Sequence, residues 1–150
     1  LRTLMASQIL FWMLGAPDGH AKNFSIQLQP GPSGRFRLTP MYDVMSAYPV
    51  VGDGPNQWAL QDLKLAMALL GKNRHYHVHN IQRRHFNSTA RKVGYAADAE
   101  PLLNEIIAHT PQVVAQVQAE LPPGFSQRVA DSVLEGLLNA ARKLEGMPPA

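Results

Sequence analysis

Cysteine is absent from the 150 residues. That excludes disulfide scaffolds, zinc fingers, iron–sulfur sites and thiol nucleophiles, and with them the disulfide-stapled secreted class. Long apolar runs are missing too. The longest, such as Ile9 to Leu14, fall far short of the roughly 20 residues a membrane helix needs. No signal-peptide pattern opens the chain, so a cytoplasmic protein with no membrane association is expected. An initiator methionine is also lacking, and a chain that begins on Leu1–Arg2–Thr3 inside an apolar helical pattern is expected to have been cut from something longer. Charge is sparse. Charged residues are 17% and the net charge is +3, too weak a basic balance to argue for nucleic acid by itself. Hydrophobic residues at 45% suffice for a buried core in a chain the size of one domain. No internal repeat or low-complexity tract interrupts it.

The hydrophobic pattern divides the chain. Leu1 to Leu14 has little polar face and reads as a buried helix stopped by Gly15 and Pro17. Asn23 to Gln29 and Arg35 to Thr39 alternate across Pro30–Gly31–Pro32–Ser33–Gly34, which predicts a hairpin with Phe24, Ile26, Leu28, Phe36 and Leu38 inward. Pro49 to Pro55 reads as a loop. Leu63 to Leu69 alternates as a strand, although a short helix fits nearly as well, and His75 to His79 follows as a more polar strand. From Gln82 the period turns helical, with Phe86, Ala90 and Val93 on one face and Gly94 closing the helix. Asp98 is placed to cap the next helix, which Pro111 kinks or restarts on its way to Leu121. After Pro122–Pro123–Gly124, Ser126 can cap a last helix running through Leu144. The fold class is mainly α with a small antiparallel β-hairpin element.

The chemistry gathers between the first helix and the hairpin, in Asp18–Gly19–His20–Ala21–Lys22–Asn23. An Asp and an Asn with four residues between them, after a buried helix and before a hairpin, are what a kinase catalytic loop supplies. The Asp accepts a hydrogen bond from an attacking hydroxyl. The Asn returns on the same loop to offer an amide oxygen to magnesium. The hairpin then brings Met41–Tyr42–Asp43 to the same end, where Asp43 can be a second magnesium ligand. Asx residues are common in turns, so Asp18 after Pro17 could equally be a turn former. The order of helix, loop, hairpin and Tyr-Asp is far more restrictive than the loop alone.

Asp18 to Ser25, Arg37–Leu38–Thr39–Pro40–Met41–Tyr42–Asp43–Val44, Asp62 to Met67 and Arg84–His85–Phe86 resemble the C-terminal lobe of the HipA family, serine/threonine protein kinase toxins of bacterial toxin–antitoxin pairs. The resemblance spans essentially the whole chain. It implies that residues 1–150 are a helical kinase lobe with a catalytic loop at 16–23 and a metal-binding pair at 42–43. It further implies that Asp18 is the catalytic base, that His20, Ala21, Lys22, Asn23, Tyr42 and Asp43 contact ATP, and that Asn23 and Asp43 hold magnesium. Implied partners are a HipB-like helix-turn-helix antitoxin, operator DNA through that complex, and a protein substrate such as glutamyl-tRNA synthetase, an aminoacyl-tRNA synthetase. Members also carry an N-terminal ATP lobe with a phosphate-covering loop and a lysine, which Leu1 to Ala150 does not supply. The chain alone is therefore expected to be inactive. Two other readings stay open: a non-catalytic antitoxin- or DNA-binding module derived from the same fold, and a lobe of a lipid- or inositol-type small-molecule kinase.

The remaining features have plainer readings beside sharper ones. Leu63 to Ala97 holds seven basic and no acidic residues. It is either a solvated helix face or, as the resemblance implies, a surface for DNA or an acidic antitoxin with Arg91 and Lys92 as contacts. His75, His77 and His79 would share one strand face, as a solvated edge strand or a metal site. Trp12 is expected in the core, and His85 and His109 to pack or cap. Trp58 could stack on a ligand.

Overall fold

The computed structural model describes residues 1–31 and 34–149. Among these residues, four α-helices and two separate antiparallel hairpins follow in the order α1 (Arg2–Met13), β1 (Ile26–Leu28), β2 (Phe36–Leu38), β3 (Lys64–Leu70), β4 (Arg74–His77), α2 (Arg83–Lys92), α3 (Glu100–Ala119) and α4 (Gln127–Gly146). Single 3-10 turns at Ala21–Asn23, Tyr48–Val50, Leu60–Asp62 and Val78–Asn80 make the corners. The mainly α expectation holds, and Leu63 to Leu69 resolves as strand rather than helix.

The core is organised around α1. Met5, Ile9, Phe11, Trp12 and Met13 are all buried, as a helix apolar on most sides must be. Trp12 meets Phe86 of α2 edge-on, with ring centroids 5.9 Å apart. Its indole N–H donates to the carbonyl of Val78 at 2.9 Å, so the polar end of this buried side chain is satisfied. Leu65 and Leu69 of β3, Leu102 and Leu103 of α3, and Leu137 and Leu144 of α4 complete the same cluster. Gly15 at φ +55° and Gly94 at φ +70° end α1 and α2 in the left-handed conformation glycine adopts without strain.

A polar staple joins α2 to α3. The buried Arg83 guanidinium donates to the Glu100 carboxylate, to the Asn104 amide oxygen and to the Leu144 carbonyl of α4. Asn87 donates to Glu100 and accepts from the backbone N–H of Ala99. Arg83 therefore leaves the solvated basic face to which the charge run assigned it.

Four further details depart from the sequence reading. Ile26, Leu28 and Phe36 are 55%, 71% and 66% exposed, so the apolar side of the first hairpin faces outward rather than into the core. The register Ile26↔Leu38 and Leu28↔Phe36 puts these side chains on one face, as the alternation requires. The pattern gave the face correctly but not what covers it. Part of the hairpin turn, Pro32 and Ser33, lies outside the described residues. Val93 falls at the C-cap of α2 and is exposed instead of sharing the Phe86 face. Ser126 sits at the N-cap of α4 but its hydroxyl makes no cap bond, whereas the Asp98 carboxylate accepts from the Glu100 N–H at the start of α3. Pro111 does not divide α3, which is one helix of 20 residues.

Candidate active site

The loop after α1 is pressed onto the core. A Cβ on Gly19 would stand 2.4 Å from the Phe11 ring, so no side chain fits there, and Gly19 is what lets the backbone cross that close. Phe11 in turn packs edge-on against Phe24 at the far end of the loop. Between these anchors the backbone closes one 3-10 turn, with the Asn23 N–H bonded to the His20 carbonyl. A loop pinned at both ends presents its polar side chains in one fixed arrangement.

Asn23 joins the three expected residues. The residue is 6% exposed, and its side-chain amide nitrogen donates to the backbone carbonyls of Asp18 at 2.9 Å and of Asp43 at 3.2 Å. Both partners are acceptors, so the amide orientation is fixed by chemistry: the NH2 faces the two carbonyls and the oxygen is the other end. No hydrogen bond to that oxygen is found among the described residues. Asp43 has φ +56°, uncommon for a residue with a side chain and concentrated at functional positions. Tyr42 fastens its segment to the loop, its hydroxyl donating to the Lys22 carbonyl at 3.1 Å and meeting the Ser25 hydroxyl at 2.8 Å. Nothing in the sequence reading gave Ser25 a role.

Asp18 and Asp43 expose their carboxylates. Asp18 lies 3.4 Å from the imidazole Nε2 of His20, whose Nδ1 is buried without a partner among the described residues. The Lys22 and Ala21 side chains point to solvent. Positions 18, 20, 21, 22, 23, 42 and 43 thus form one neighbourhood. Arg91 and Lys92 belong to another, at the C-terminal end of α2. Both are exposed, Arg91 bonded to the Ala97 carbonyl and Lys92 to that of Gly71.

Among the described residues, no three His, Cys, Asp or Glu side chains gather as a metal cluster. His75 and His77 sit on β4 but His79 falls on the following 3-10 turn, so the three do not share a strand face. At the loop the donors are instead one amide oxygen and carboxylates. That inventory suits magnesium, a hard cation that takes one or two protein carboxylates and draws its other oxygens from water and phosphate. By donor type, Asn23 and Asp43 are therefore the groups that would hold such an ion.

No helix among the described residues is long and apolar enough to cross a membrane. A family model for the HipA-like C-terminal domain matches residues 1–117, from α1 through most of α3, which includes every residue of the loop, the first hairpin and Tyr42–Asp43. On that match the chain belongs to the HipA-like C-terminal domain family.

Proposed function

We propose that this chain is the catalytic helical lobe of a serine/threonine protein kinase, the toxin of a toxin–antitoxin pair. The observation that carries the reading is the Asn23 side chain, which ties Asp18 and Asp43 to one point while leaving its own oxygen uncommitted. Asp18 orients the hydroxyl of the substrate and accepts its proton. Asn23 and Asp43 hold magnesium, and His20, Ala21 and Lys22 line the nucleotide side of the loop. Magnesium–ATP, when bound, supplies the transferable phosphoryl group with its charge partly neutralised. Tyr42 keeps the Asp43 segment at its distance from the loop.

The same proposal extends to partners: a HipB-like antitoxin, operator DNA through that complex with Arg91 and Lys92 as its contacts, and an aminoacyl-tRNA synthetase as substrate. The test is phosphotransfer from labelled ATP by the full-length polypeptide that bears this chain. Asp18→Ala should lower kcat by roughly 10²–10⁴-fold, the usual worth of a positioned base, with thermal unfolding unchanged because the carboxylate is exposed. Wild-type turnover by that variant would overturn the catalytic reading and favour a binding module.

A further inference from the structure

Away from the loop, α4 crosses the corner formed by the Tyr48–Val50 turn and the Val78–Asn80 turn and leaves two clefts there. One, of about 380 Å³, has Trp12, Tyr48, Leu60 and Val78 as its apolar walls and Glu135 and Asn139 on its rim. The other, of about 400 Å³, is lined by Arg84, Gln82 and Met147. His79 and Lys143 line both, so the clefts adjoin. α4 lies beyond the residues that the family model matches, and the cleft walled by Trp12 and Tyr48 does not exist without it.

The walls are apolar for a definite reason. Both aromatic side chains have spent their polar atoms inward: the Trp12 N–H on the Val78 carbonyl and the Tyr48 hydroxyl on the Met13 carbonyl at 3.0 Å. Burial pushes the Tyr48 phenol up to about 12, so it carries no charge into the cleft. Gly136 makes this wall possible, since a Cβ there would stand 2.2 Å from the Tyr48 ring. At the other end are Arg84 and Lys143. Neither forms an ion pair with a carboxylate among the described residues, and the Lys143 ammonium stands over the Trp12 ring at 5.6 Å. Glu135, the one carboxylate lining either cleft among the described residues, is two turns back along α4, about 12 Å from Lys143 by helical rise. Negative charge is therefore disfavoured at the Glu135 end and favoured where His79, Arg84 and Lys143 meet.

We infer that the joined clefts bind a small aromatic phosphate, its ring against Tyr48 and Leu60 and its dianionic head between Arg84 and Lys143. Two permanent cations and a histidine suit a dianion better than a monoanionic carboxylate, and an apolar cavity of this size with a few convergent polar groups is what small-molecule sites look like. The site is separate from Asp18, Asn23 and Asp43 and stands whether or not these catalyse.

The test uses 1-naphthyl phosphate as probe, without magnesium, followed by two-dimensional NMR of the chain. Saturable shifts at the Trp12 indole N–H are expected. Arg84→Glu and Lys143→Glu should each weaken binding at least tenfold, as should Leu60→Glu at the apolar end. All three side chains are on the surface, so these variants should fold. Asp43→Asn should bind the probe as the unaltered chain does. Failure of the probe to move Trp12, equal binding of inorganic phosphate alone, charge-reversed variants that bind normally, or loss of binding in Asp43→Asn would each overturn the assignment.

Discussion

Asn23 acts as a clamp whose chemistry cannot be shared by its nearest analogues. Asn23→Ala leaves two carbonyls without their donor, and at about 1–3 kcal/mol for buried polar groups left unpaired the loss should be plain in a urea titration. Asn23→Asp should be no gentler, because a carboxylate would face those same two carbonyls with no hydrogen to give. A variant that retains an oxygen for metal yet loses the clamp therefore separates positioning from ligation. His85 offers a second test at this scale. Its ring stacks on His75 at 3.7 Å and its Nδ1 accepts from the Gln82 N–H. Burial, helped by the charges of His75 and Arg84, holds it down to about 4 from an ordinary 6.5. The folded state then binds fewer protons than the unfolded chain between those values, so stability is full above about pH 6.5, falls as the pH is lowered and levels off near 4. In His85→Gln that slope should flatten in denaturation midpoints taken across the window.

At the scale of elements, the α2–α3 staple is a joint built on a buried charge. The Arg83 guanidinium, hydrogen-bonded to it, holds the Glu100 carboxyl below the usual carboxylate range. Removing the acid leaves a buried guanidinium short of its partner, and Glu100→Ala should cost about 3–5 kcal/mol by thermal unfolding. The double replacement Arg83→Met with Glu100→Leu should recover most of that, since the cost lies in the orphaned charge. The staple also marks where sequence reading stops. Periodicity and caps placed α2, α3 and their ends because 3.6-residue spacing, Gly94 and Asp98 are local signals. Nothing local distinguishes Arg83 from Arg84, yet one is buried and bonded while the other lies in solvent. The candidate site was legible for the same reason the helices were. Asp18, Asn23 and Asp43 are spaced by a loop and a hairpin, both short-range objects. The clamp geometry and the positive φ of Asp43 depend on contacts across the turn and left no mark in the spacing.

Across the whole molecule, apolar surface is unevenly covered. The face carrying Ile26, Leu28 and Phe36 stands outward beside the candidate site while α1 is enclosed on nearly every side. Replacing Leu28 with Gln or Phe36 with Ser should change the stability of the chain by less than about 0.5 kcal/mol, as substitutions at exposed positions do. The same changes should reduce concentration-dependent association in sedimentation runs, because contiguous apolar surface drives it. Homology and packing, finally, draw different borders. The family match ends at residue 117, yet Leu137, Ala141 and Leu144 beyond it belong to the central cluster, and the Leu144 carbonyl receives a hydrogen bond from Arg83. A polypeptide trimmed to the matched span would expose the flank of α1 and strand one of the guanidinium's donors. Limited digestion of the intact chain should accordingly spare the junction at 117 and nick only the Pro122–Gly124 bend, with the severed last helix staying bound to the rest.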